Sequence, residues 1–353
     1  MRPTLLPGLR RLWRDERTVQ LGTDPATAIV LELNRPELAR ALDLLDGRHT
    51  VHTLVAEAEA LGLDGSDVLD LIQALRSSGL LVGSHALLPT GLPGHVGARL
   101  TVEAAAIGLR LRAGDDARTP ADVLRRRTAA RVVVAGEGPL VAPLATALAG
   151  AGIGHVDPLV DGAATHGDVA VGGLARSDVS EPRTLATSSA IARIAPGVDV
   201  SSVRADNVDF LVRVGDRHPP GLARRGYRLH ALPRLEVTVR LGTVLVGPLV
   251  RPAGSPCRTC LDLHRIDRDP AWPVMAAQLA TAPPGGGEPC SVTTVMAGAA
   301  FAAEEVLAYL DGDPVRTEAA LVEIPRAGET VRREWSAHPR CTCRRRRRPG
   351  SAS

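Results

Sequence analysis

The sequence predicts an α/β protein in two parts: a small winged-helix-like α+β module, then a larger domain built on parallel strands. Three observations carry this. Two short alternating runs near the N-terminus are followed by three stretches of helical period. Farther on, the apolar run Val132 to Ala135 passes through glycines into a helix and returns as a second strand. Four of the five cysteines then fall into two close pairs, Cys257 with Cys260 and Cys341 with Cys343.

Composition bounds the class. With 353 residues and 44% hydrophobic side chains there is material for more than one core. The net charge is only +3, and much of it lies in Arg344 to Arg348, so the body is close to neutral. That disfavours a broad nucleic-acid or anionic-membrane surface. Aromatic residues make up 2% of the chain, too few for a stacking platform. Every Lys/Arg position is Arg; with the wealth of Ala, Leu, Val and Gly, this reads as a coding bias that dilutes the meaning of any single Arg. Residues 1–13 lack a signal-peptide apolar core, and no run approaches ~20 apolar residues. A cytoplasmic protein is expected, where paired cysteines are more often metal ligands than disulfides.

In the first module, Thr18 to Leu21 and Ile29 to Leu33 read as strands across the turn Gly22 to Pro25. Leu38, Leu42 and Leu45 then mark one helical face, ending at Gly47. Thr50 to Ala60 and Ser66 to Ser77 repeat the period, with Ser66 as an N-cap and Gly79 as a C-cap. Leu80 to Val82 closes as a strand. Residues 15–84, with LLDGRHTVHTLVAEA as the best local likeness, resemble the PqqD-like RiPP recognition element. The resemblance implies a leader peptide added as an extra strand at a sheet edge. The alternative is a packing or dimerisation domain. DNA binding ranks last, because the third helix carries Asp67 and Asp70 against a single Arg76.

Leu88 to Gly94 reads as a linker, and Thr119 before Pro120 as the start of a short helix. The organisation expected is a recognition module over 1–90, a linker and helical arm over 91–130, the main domain over 131–343, and a disordered Arg-rich tail over 344–353. In the main domain, Gly136 and Gly138 follow the strand Val132 to Ala135. Leu140, Leu144 and Leu148 share a helix face, and His155 to Val160 returns to Asp161. This is the layout of a Rossmann-like crossover, in which glycines admit phosphates and the acid holds a ribose. The bland alternative is a tight strand-to-helix connection. Residues 163–178 read as loop, 181–196 as helix and 208–214 as strand. Glu236 to Arg240 and Thr243 to Val246 form a hairpin about Leu241-Gly242, and Val292 to Leu310 is a helix.

A CxxC with a distant CxC supplies four thiolates, the set a closed structural zinc site requires: Cys257, Cys260, Cys341 and Cys343. His264 and His338 are substitutes that four thiolates make unnecessary. The charged run Asp262 to Asp269 reads as an ion-paired surface. Cys290 follows a glycine run and precedes a helix N-terminus, which lowers a thiol pKa. It is either a mobile nucleophile or a packing residue.

The crossover, the helix ending in IAPGV, the strand ending in Gly215-Asp216, the GTVLVGPLV hairpin running into PCRTC, and the late cysteines together resemble the ThiF/MoeB adenylating enzymes. The likeness covers residues 125–343. CxxCLDLHRxDRDPAWP and HPxCxC are similar to the branch of TOMM precursor leader-peptide-binding proteins. The resemblance implies a ThiF-type domain that is commonly homodimeric, and a site for ATP and Mg in which Gly136 and Gly138 meet phosphates, Asp161 the ribose, Arg183 a phosphate and Asp216 the metal. It departs from the pattern at Gly215 and Arg217, and it lacks an SNLxRQ segment, for which only Arg176 stands nearby. The expected function is a leader-peptide scaffold with a degenerate ATP site and a YcaO-type cyclodehydratase partner. The alternative is an adenylyltransferase acting on a protein or peptide C-terminus.

Overall fold

The computed structural model describes residues 1–24, 27–112, 118–216, 220–252, 256–281 and 288–343. Pro25, Arg217, the glycines before Glu288 and the Arg344 to Arg348 run lie outside the described residues. The chain divides into two units, Met1–Arg126 and Arg127–Ser353.

The first unit contains strands β1 (Pro3–Leu5), β2 (Arg11–Trp13), β3 (Thr18–Leu21), β4 (Ile29–Glu32) and β5 (Leu81–Gly83). β1 pairs antiparallel with β5, while β2, β3 and β4 form a separate antiparallel sheet in that order. Alternation decides its faces: Val19, Leu21 and Leu31 are buried, whereas Leu12, Gln20 and Val30 stand in register on the other side. A 3₁₀ helix, Pro36–Leu44, and the α-helices Val51–Ala60 and Gly65–Ser77 complete the winged arrangement. Thr50 caps its helix as its side-chain oxygen accepts from Thr53 N. The cap of the next helix is Asp64, not Ser66, because Asp64 Oδ1 accepts from both the amide and the hydroxyl of Ser66. The helices Gly94–Arg112 and Pro120–Ala129 send Leu100, Ile107 and Leu124 into the same core. Thr119 and Asp122 cap the second of these reciprocally, a device worth about 1 kcal/mol.

The second unit is built on a seven-stranded sheet. Its strands are β6 (Arg131–Gly136), β7 (His155–Val160), β8 (Phe210–Val214), β9 (Arg234–Arg240), β10 (Thr243–Val250), β11 (Ala320–Arg326) and β12 (Glu329–Glu334). The order is β12-β11-β10-β9-β8-β6-β7, with β7, β6, β8 and β9 mutually parallel and the rest antiparallel. This is a Rossmann-like half extended by hairpins. The central strands are buried on both faces and read as apolar runs, as parallel strands do, with Arg213 the one charged side chain inside β8. Val132, Val134, Phe210 and Val212 face helices Val141–Gly150 and Val292–Asp311. Val133, Ala135 and Leu211 face Leu222 and Tyr227.

The stretch 163–178, expected as loop, contains the helix His166–Ala170. Its capping box joins Thr165 and Asp168, a signal short enough to be missed in a stretch without a long apolar run. Leu241 and Gly242 both have positive φ, the requirement of a tight hairpin turn whose twist matches its strands. Among the described residues, Val292–Asp311 is long and apolar enough to cross a membrane, but its buried face packs on the sheet.

Candidate functional site

The sheet brings Gly136, Asp161 and Asp216 to one end of its parallel strands. β6, β7, β8 and β9 run in the same direction, so Gly136, Asp161, Asp216 and Arg240 all lie at or just beyond their carboxyl ends. β7 lies on one side of β6 and β8 on the other, which makes the gap between β6 and β8 a topological switch point. Ligands of open α/β sheets bind at such crevices.

Each glycine has its own reason. Gly136 has φ 138°, and a Cβ there would sit 1.9 Å from Val214 O, so the neighbouring strand alone requires glycine. Gly138 has φ 94° with open space where a Cβ would be. Gly138 is thus the position whose backbone approach remains available to a ligand. Asp161 is half-buried and its amide donates to Gly136 O at 3.1 Å, the last rung of the β6–β7 ladder.

Arg183 is largely engaged within the protein. Its Nη2 donates to buried Asp168 at 2.9 Å, and its Nη1 donates to Asp161 O at 2.9 Å. The guanidinium therefore fastens the helix Arg183–Ile194 to the end of β7. Its Nε is a buried donor with no hydrogen-bond partner among the described residues. Arg176 is exposed, in the turn Arg176–Asp178.

Asp216 lies two residues past β8 in a network of charges. Its Oδ1 accepts from Arg240 Nη2 at 2.9 Å, with Arg258 Nη2 at 3.6 Å, and its Oδ2 accepts from Thr238 Oγ1 at 3.1 Å. Burial on its own would raise this carboxyl, but Arg240, Thr238 and Arg258 outweigh it and hold the group below the ordinary carboxylate value. Arg258 also donates to Glu236 at 3.0 Å, and Glu236 meets Arg213 across adjacent strands at 3.2 Å. Arg265 pairs with Asp262 at 3.4 Å. Trp272 donates to Asp262 at 3.2 Å, with Arg265 and Arg240 over its ring at 4.6 and 5.4 Å.

Sequence reading missed Arg240, Arg258 and Trp272 as parts of this site. The usable signal was the hairpin: Arg240 ends a strand whose parallel neighbour ends two residues before Asp216. Asp209, by contrast, is at the opposite end of β8, where its carboxylate accepts from Arg131 N at 2.8 Å.

The four paired cysteines come together. All four sulfurs lie within 4.8 Å of one another, with Cys257–Cys341 at 3.6 Å, Cys260–Cys343 at 3.4 Å and Cys257–Cys260 at 4.0 Å. Tetrahedral coordination at a Zn–S distance of about 2.3 Å demands sulfurs about 3.8 Å apart, so the set fits such an ion. Burial pushes the Cys260 and Cys341 thiols up, and a coordinated cation reverses that by holding thiolates. The histidines are otherwise occupied. His338 Nε2 meets Asp267 at 2.8 Å, its Nδ1 accepts from Arg340 N, and His264 Nε2 meets Ser336 O at 3.0 Å. Arg258 stands between the first two cysteines, so the clamp also fixes the start of the helix Arg258–Arg268 that reaches Asp216.

Cys290 is separate from this cluster and donates to Gly242 O at 3.3 Å. The helix N-terminus was expected to lower its thiol; burial raises it instead.

No protein-family model and no curated protein sequence matches the chain. Solved structures do. MccB of E. coli with ATP superposes over 97% of this chain and 99% of its own, with a TM-score of 0.60 at 13% identity. The fold is shared with MccB. The microcin C7 biosynthetic enzyme MccB in complex with N-formylated MccA gives the same coverage, with a TM-score of 0.57 at 14% identity. A heterocyclase in complex with substrate and cofactor matches over 95% of this chain but 38% of that one, with a TM-score of 0.54 at 15% identity. The MccB likeness extends through both units, and the architecture is the Rossmann-like, ThiF-type one preceded by a small α+β module.

Proposed function

We propose that this chain is a leader-peptide-binding scaffold of the ThiF-like family, serving a pathway that makes azoline-type modified peptides. The carrying observation is the reach of the structural likeness over both units, to an enzyme crystallised with the peptide MccA and to part of a heterocyclase crystallised with its substrate. The chain corresponds to only a portion of that heterocyclase. The remainder, in this reading, is a separate partner such as a YcaO-type cyclodehydratase.

The first unit provides the means of capture. Its three-stranded sheet has β2 and β4 as edges, whose outward amides and carbonyls can pair with an extended peptide. The four cysteines hold a structural zinc, which supplies folding energy by fixing the Arg258–Arg268 helix to the end of the chain. Cys290 has a packing role. Titration of the purified protein with precursor peptides encoded beside its gene tests the reading. Binding at micromolar or better concentration is expected, and failure to bind any of them refutes it.

A second reading, an adenylyltransferase of the ThiF type, draws on the convergence of Gly136, Gly138, Asp161 and Asp216 at the carboxyl ends of the parallel strands and on MccB having been crystallised with ATP. ATP–pyrophosphate exchange in the presence of the acceptor separates the two. Exchange that is lost in Asp216→Ala favours the enzyme; absence of exchange favours the scaffold.

A further inference from the structure

We propose that the carboxyl end of β8 and β9 is a metal-independent site for a phosphate-bearing anion, in which Arg240 and Arg258 stand where a divalent cation would meet Asp216. The family pattern implies Mg at this aspartate, but the residues present do not fit it. Asp216 Oδ1 already faces Arg240 at 2.9 Å and Arg258 at 3.6 Å, and Oδ2 accepts from Thr238. Magnesium needs oxygen ligands at about 2.0–2.1 Å in near-octahedral array, and would have to displace a guanidinium to gain this one.

The surroundings are arranged for an anion. Four guanidinium groups, Arg213, Arg240, Arg258 and Arg265, share three carboxylates, Asp216, Glu236 and Asp262. Arg240 Nε is a buried donor with no hydrogen-bond partner among the described residues. Arg240 and Arg265 both lie over Trp272, which holds their planes in place. Arginine forks match phosphate oxygens bidentately, and they do so without a bridging ion. This proposal does not rest on the scaffold reading, whose test is the binding of precursor peptides.

Calorimetric titration of the full chain with inorganic pyrophosphate and with ATP, each in EDTA and in magnesium, is the test. At least one probe should bind in EDTA, with magnesium, which complexes both probes in solution, failing to tighten the binding, and comparison of the two distinguishes a free phosphate ligand from a nucleotide. Arg240→Ala should weaken that binding by about tenfold or more. Arg240→Ala/Arg258→Ala, in which Glu236 retains Arg213 and Arg234, should gain Mn²⁺ binding by paramagnetic resonance that the parent lacks. Circular dichroism checks that this variant is folded. The proposal is overturned if neither probe binds in EDTA, or if the parent binds ATP only with magnesium and Asp216→Asn abolishes it.

Discussion

Arg127 donates from Nε and Nη2 to the two carboxylate oxygens of Asp311, at 2.9 and 2.6 Å, with both side chains buried. The pair joins the start of the second unit to the end of its longest helix. Removing one partner strands a buried charge, so Asp311→Ala should cost about 3–5 kcal/mol in urea denaturation. Arg127→Met/Asp311→Leu should recover most of that, because an apolar pair of similar size carries no desolvation penalty.

The two glycines of the crossover should behave differently. Gly136→Ala puts a methyl into Val214 O and is expected to cost more than about 3 kcal/mol or prevent folding. Gly138→Ala meets open space and carries only the positive-φ penalty, about 1 kcal/mol. Thermal melts of both variants check this contrast.

Metal analysis should find about one zinc per chain. Cys341→Ser should lose the ion and lower the melting temperature, since binding energy at such a site is folding energy. The same variant should loosen the Asp216 network, because Arg258 sits between two of the ligands. Heteronuclear NMR of the arginine Nε signals reads that directly.

A carboxyl held below its ordinary value in the folded chain contributes stability above that value, about 3.9, and loses it as pH falls through the lowered one. Asp216 is such a group. Asp216→Asn should therefore be less stable than the parent at pH 7, with the difference closing below about pH 4. Urea midpoints at neutral and acid pH test the sign.

The parts of the fold legible from sequence are those with long-range periodicity or capping chemistry. Val132 to Ala135, the return to Asp161 and the Thr119-Pro120 helix start all stand where reading placed them. The β11–β12 hairpin was missed because β12, ETVRRE, is an exposed edge strand with no apolar alternation. The helix Arg258–Arg268 was hidden by the charges it presents around Asp216. The four cysteines were legible as a set because thiols are few and their spacing is a ligand pattern. Arg240 and Arg258 were not, because in a chain whose Lys/Arg positions are all Arg, only strand order shows which arginines face the same carboxylate.

The most direct measurement of the central claim is hydrogen–deuterium exchange of the full-length protein with and without its precursor peptide. Edge-strand amides gain protection when another strand pairs with them. The account predicts new protection at Arg11–Trp13 or Ile29–Glu32. Bound peptide that protects only the second unit, with both edges exchanging as before, contradicts it.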